Sequence, residues 1–179
     1  MDTKLNHLQK DVIQTAKKGF PLVLSGAFVF FLIALFPFFF SMKTAGVIWI
    51  LALIVIFPLG VAVGRCMKIN VLVIENPIGM LAAVVAAPQA FFIPVFILVY
   101  LQIPEYLPFT IGLLTGSHFF PYIWIYKSKT YGFIAFTTSV SSLILGWFVV
   151  DQAYIVVPLT ISIVFTIGAF CISRELRKE

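Results

Sequence analysis

Six long apolar runs alternate with short polar breaks, at residues 20–40, 45–64, 77–101, 107–126, 131–150 and 153–172. Each run is about twenty residues or more, the length a helix needs to cross a bilayer core. The pattern predicts an all-α fold: a polytopic transmembrane helical bundle of six spans, forming a single domain over residues 19–173. Boundary chemistry agrees with the runs. Pro21 suits the first turn of the first span. Asn76-Pro77 offers an N-cap followed by a proline at the first helical position of the third, with Glu75 beside the positive end of the helix dipole. The second span is interrupted by Pro58 and closes on Gly60-x-x-x-Gly64.

Residues 1–18 carry a different period. Leu5, Leu8, Val12 and Ala16 share one helical face, and His7, Lys10, Gln14 and Lys17 share another. This predicts a short amphipathic helix on the cytoplasmic membrane surface, its basic side toward headgroups. It is not read as a signal peptide, because the charged part is too long and no small-residue cleavage site follows. The stretch Val71-Leu72-Val73-Ile74, in the longest loop, is too short to span and is expected at the interface or tucked into the bundle. Residues 174–179 read as a cytoplasmic tail.

Composition strengthens the membrane reading. Of the 179 residues, 61% are hydrophobic and 11% charged, with a mean hydropathy of +1.09. Soluble domains carry roughly 25% charged residues. The net charge of +5 does not point to nucleic acid, because the charges sit at helix ends. Six spans place Lys4, Lys10, Lys17, Lys18, Arg65, Lys68, Lys127, Lys129, Arg174, Arg177 and Lys178 on one side and Lys43 alone on the other. The positive-inside rule then puts both termini in the cytoplasm of a multi-pass inner (plasma) membrane protein. The connections on the lean side are too short for an external receptor domain. Cys66 and Cys171 both fall on the reducing side and are expected as free thiols.

Candidate chemistry concentrates in the fourth span. His118 lies near its middle, where an ionisable side chain is costly and marks a candidate site. Pro121 lacks an N–H, so the carbonyl of Ser117 loses its helical partner. At 100° per residue, Thr115, His118, Tyr122, Tyr126 and Lys129 fall within a sector of about 80°, and Gly112 and Gly116 lie on another face. In the third span, Gln89 sits at a similar depth between Pro88 and Pro94. Broken, polar mid-membrane helices are what transporter sites use. The candidates for contact with a ligand or proton are therefore His118, Tyr122, Gln89, Ser117 and Thr115, with Lys127, Lys129, Glu75 and Asn76 at a pocket mouth. The competing reading is a packing histidine and a kinked packing helix, bonded to their neighbours. Thr138, Ser141 and Ser142, like Ser162 and Thr166, read as small packing faces.

Several chemistries lack support. There is no Cys/His cluster for a metal, no mid-membrane lysine for a Schiff base, no second deep histidine for haem and no deep carboxylate for an exchanger. No cofactor is expected. No nucleophile–base pair stands out, so the balance leans away from an enzyme.

The segments Lys18-Gly19-Phe20-Pro21, Glu75-Asn76-Pro77-Ile78-Gly79 and His118-Phe119-Phe120-Pro121-Tyr122-Ile123-Trp124-Ile125-Tyr126-Lys127-Ser128-Lys129 carry a resemblance. The chain resembles a group of small multispanning bacterial inner-membrane proteins of unassigned function. That resemblance implies a bacterial inner membrane and brings no substrate. The leading functional expectation is a membrane protein that binds or moves a small solute, ion or lipid through a cytoplasm-facing pocket around His118. The alternative is a non-transporting membrane partner, such as an immunity, regulatory or assembly subunit. Besides the bilayer, a second copy of the chain packed through GxxxG-type faces is the partner expected.

Overall fold

A backbone surrounded by apolar side chains has to satisfy its own polar groups, and helices do so locally. The computed structural model describes residues 2–178, all helix and connecting turns with no strand among them. In chain order the helices are α1 (Asp2–Ala16), α2 (Phe20–Leu35), α3 (Met42–Cys66), α4 (Pro77–Ala86), α5 (Pro88–Gln102), α6 (Leu107–Ser117), α7 (Phe120–Ile125), α8 (Lys129–Phe148) and α9 (Ala153–Leu176). Among the described residues, five helical stretches are long and apolar enough to cross a membrane: Thr3–Phe38, Met42–Cys66, Pro77–Gln102, Lys129–Phe148 and Val150–Leu176. Large apolar side chains such as Phe28, Phe91, Phe136 and Phe170 point outward from them, which suits lipid better than water.

The core is a set of antiparallel neighbours in close register. Trp49 of α3 donates its indole N–H to Ile33 O of α2 at 3.0 Å, and Gly60 lies under Leu22. On the other side of α2, the Ser162 hydroxyl of α9 donates to Ala27 O at 2.8 Å, and Phe165 fills the space left by Gly26. Ile134 of α8 meets Gly168 of α9. Both glycines of Gly60-x-x-x-Gly64 are covered within the chain, the second by Val71 of the loop. Gly112 and Gly116 are covered by Ser142 and Ser139 of α8. These GxxxG faces are thus occupied by the protein's own helices.

The run 107–126, expected as one continuous helix, is two short ones of 11 and 6 residues. The break falls at His118-Phe119, one turn before Pro121. There the bonds tighten to three-residue spacing, Phe119 N–H to Gly116 O at 3.0 Å and Tyr122 N–H to Phe119 O at 3.1 Å. A proline that cannot donate and whose ring crowds the preceding turn explains the position of the break. Together the two pieces still run the length of α8, from Phe109 beside Gly146 to Ile123 beside Gly132. A second turn at Lys127, with φ 47°, separates α7 from α8. Lys129 therefore begins another helix and does not continue the stripe expected from His118 and Tyr122.

α1 lies against protein. Lys17, Lys18 and Gly19 all have positive φ, and this turn swings α1 away from the axis of α2. Gln9, Val12, Ile13 and Ala16 are buried, whereas Leu5 is 39% exposed. Gln9 donates to Trp124 O at 3.1 Å, and Lys127 donates to Asn6 at 2.6 Å. The Asn76 side chain makes three bonds: it accepts from Ile78 N–H as the α4 N-cap, and it donates to Leu8 O and to Asp11. Asn76→Ala is expected to lose about 1–2 kcal/mol for cap and tie together. Asn76→Asp keeps the cap oxygen but sets a carboxylate against Asp11. Amide exchange over residues 3–16 should therefore speed up in both variants. Exchange left at the wild-type rate in Asn76→Asp would mean the side chain does not hold α1.

Between α3 and α4 the loop folds back on itself. Val71 packs on Gly64 and Val73 reaches Gly79, while Leu72 and Ile74 stay exposed. The strand-like alternation of this short apolar stretch is thus half tucked in. Cys66 and Cys171 are both free.

Candidate functional site

α3 and α5 meet near one end of the bundle, where the Tyr100 hydroxyl donates to Lys43 O and its ring covers Gly46. Away from that contact the structure opens into a cleft of about 410 Å³. Its walls come from α2, α3, α4, α5 and the α6–α7 break, and Phe165 of α9 closes the back. The lining is mostly aliphatic and aromatic, with Leu53, Ile56, Ala83, Ala86, Phe92 and Ile93 among it. The alanines of α4 leave the space, because a larger side chain at those positions would fill it. Several lining residues, including Ile54, Phe57 and Ala90, are also exposed on the outer surface, so the cleft opens sideways between helices.

Polar groups enter this apolar space from two helices and the α6–α7 break. Gln89 comes from α5, Thr115 from α6 and His118 from the break itself. The imidazole faces the Val85 carbonyl of α4. Tyr122 donates to Ala82 O, also of α4, at 3.0 Å. These two side chains join the last turn of α4 to the α6–α7 break. Neither the Gln89 amide nor the Thr115 hydroxyl has a hydrogen-bond partner among the described residues.

Below His118 an aromatic wall continues to the lysine-rich end. His118 meets Phe119 and Tyr122 at ring distances of 5.0 and 5.2 Å, and Phe119 stands edge-on to Phe165 at 5.3 Å. Tyr122 stacks on Tyr126 at 5.7 Å, and Tyr131 contacts both. The Tyr131 hydroxyl donates to Lys18 O, where Gly19 lets the two tyrosines approach the backbone. Pairs of this kind are worth about 0.5–1.5 kcal/mol each beyond area burial, so this wall is rigid.

Four of the residues singled out in the sequence, His118, Tyr122, Gln89 and Thr115, thus meet in one cleft. Ser117 does not join them. It is exposed, and its hydroxyl turns back to Leu114 O at 3.0 Å, a bond local to the end of α6. None of the four residues placed at the mouth lines the cleft. Asn76 is buried under α1, Lys127 binds Asn6, and Glu75 and Lys129 are exposed elsewhere at that end. The turn at Lys127 redirects the chain and accounts for both lysines. The sequence reading passed over Phe119, Tyr131 and Phe165. A signal existed for Tyr131, a large polar-tipped ring at the mouth of a helix, but nothing in the sequence ties Phe165 to His118.

Fold and cleft together define a class: a helical protein with the long apolar helices of a membrane protein and a side-opening apolar cleft. The chain belongs to the family described as a family of unknown function (DUF7010), whose model matches residues 5–175. No curated protein and no solved structure matches it.

Proposed function

We propose that this protein crosses a bacterial inner membrane six times, with both termini in the cytoplasm, and binds a small amphiphilic molecule from the bilayer in the cleft around His118. The observation that carries the reading is the cleft itself: Gln89 and Thr115, without partners among the described residues, enter walls that are mostly apolar. Uncompensated polar groups in hydrocarbon cost several kcal/mol by transfer measures. An occupant with an apolar body and a polar group meets both demands at once. The lateral opening favours entry from lipid over entry from water. The fourth crossing is made by α6 and α7 together, since their combined run matches α8. A break at mid-depth, with its backbone turned toward a cavity, is the arrangement that membrane binding sites use. His118 is the hydrogen-bonding group at this break, and α1 rests on the cytoplasmic end.

Oleate is a suitable probe. Purified protein in detergent is expected to melt at a higher temperature with oleate added, in proportion to occupancy. Ala90→Trp, which fills the cleft from an exposed position, should remove the shift, and His118→Ala should reduce it strongly. A shift that survives in both variants would place the fatty acid elsewhere and end the reading.

A further inference from the structure

The cleft has a neighbour. A second groove, of about 470 Å³, lies beside the lysine-rich end of α3, lined by Arg65, Lys68 and residues 69–72. Leu72 lines both spaces, which places them side by side. Resting on the cleft reading above, we propose that the two adjacent grooves together take one anionic phospholipid, with an acyl chain in the cleft and the phosphate at Arg65 and Lys68.

Charge and shape agree on this occupant. Arg65 lies in the last turn of α3 and Lys68 two residues beyond its end, and both line the same groove. A guanidinium offers paired donors that match a phosphate, and an ammonium adds a point charge. Among the described residues, no Asp or Glu lines either groove to oppose an anion. Lys68 has φ 57°, and the turn it makes is the double-bonded helix stop, Lys68 N–H to Arg65 O at 3.0 Å and Ile69 N–H to Gly64 O at 2.8 Å. Glycine is the residue this position favours. Gly64, bare under Val71, lets the loop fold back so that Leu72 closes the corner between the two grooves. A free phosphate would use the cations and leave the apolar cleft unused. A phospholipid uses both.

The test is competition by native mass spectrometry, with purified protein offered equal phosphatidylglycerol and phosphatidylcholine of the same acyl chains. Wild-type protein should retain phosphatidylglycerol about tenfold over phosphatidylcholine, as two headgroup-level cations allow. R65Q/K68Q should bring the ratio near one, with phosphatidylcholine retention unchanged. R65K/K68R, which preserves both charges, should keep the preference and control for folding. Ala90→Trp should reduce both lipids. A wild-type ratio of one, or a preference that persists in R65Q/K68Q, overturns the headgroup assignment but leaves the cleft reading standing if Ala90→Trp still removes lipid. Lipid retention unaffected by Ala90→Trp overturns both.

Discussion

Gly116→Ala is expected to destabilise the protein by about 2 kcal/mol, although alanine is worth about 1 kcal/mol more than glycine in a helix interior. A Cβ at this position would sit 2.6 Å from Ser139 N and 3.1 Å from Ala135 O. Both are backbone atoms of α8 and cannot rotate away, so α6 and α8 would have to separate. Between helices in lipid, close packing replaces the hydrophobic drive, and a forced gap is felt directly. Gly132→Ala is the matched control. Its Cβ would meet Ile123 Cδ1 at 3.3 Å, the end of a flexible side chain. That variant should be neutral, or more stable by up to about 1 kcal/mol. Thermal melts of the two purified variants in the same detergent decide the matter. Indistinguishable melting temperatures would mean that α6 and α8 are not this close.

The second large effect is expected at Lys18–Glu175. The ammonium lies 3.0 Å from the carboxylate, with side-chain exposures of 2% and 28%. Thr130 donates to the other carboxylate oxygen at 2.6 Å. Glu175→Gln keeps the shape but removes the charge facing a deeply buried cation. Breaking a buried pair from one side costs about 3–5 kcal/mol, and partial exposure of Glu175 points to the lower end, about 3 kcal/mol. Replacing both partners with apolar residues, as in Lys18→Met/Glu175→Leu, should recover most of that loss, because the desolvation cost disappears along with the attraction. Equilibrium unfolding of the single and double variants supplies the cycle. Equal losses in Glu175→Gln and in the double variant would show that the pair holds nothing together.

What the sequence made legible followed from local rules. Asn76-Pro77 starts α4 as cap and first helical residue. The length of the apolar runs marked α2, α3, α5, α8 and α9, because composition and length suffice for that without tertiary information. Pro121 was recognised as a defect in the fourth run. Its consequence, a full break, depends on Tyr122 and His118 finding carbonyls of α4 to hold the bend open, and that is information from residues far along the chain. The polar stripe drawn through Lys129 failed for a similar reason: a single left-handed residue at Lys127 redirects the helix, and lysine gives no warning of positive φ. The cations of the neighbouring groove, Arg65 and Lys68, were legible only as topology markers, because that groove is formed by a loop folding onto Gly64.

The anchoring of α1 has a consequence for biosynthesis. Its partners Asn76, Trp124 and Lys127 are all translated long after it. α1 therefore lacks its Asn76 tie until the start of α4 is made, and its Trp124 and Lys127 ties until the end of α7 is made. Full seating of α1 waits for the last of these ties, so protection of residues 3–16 from proteases reports that the chain through α7 is already folded.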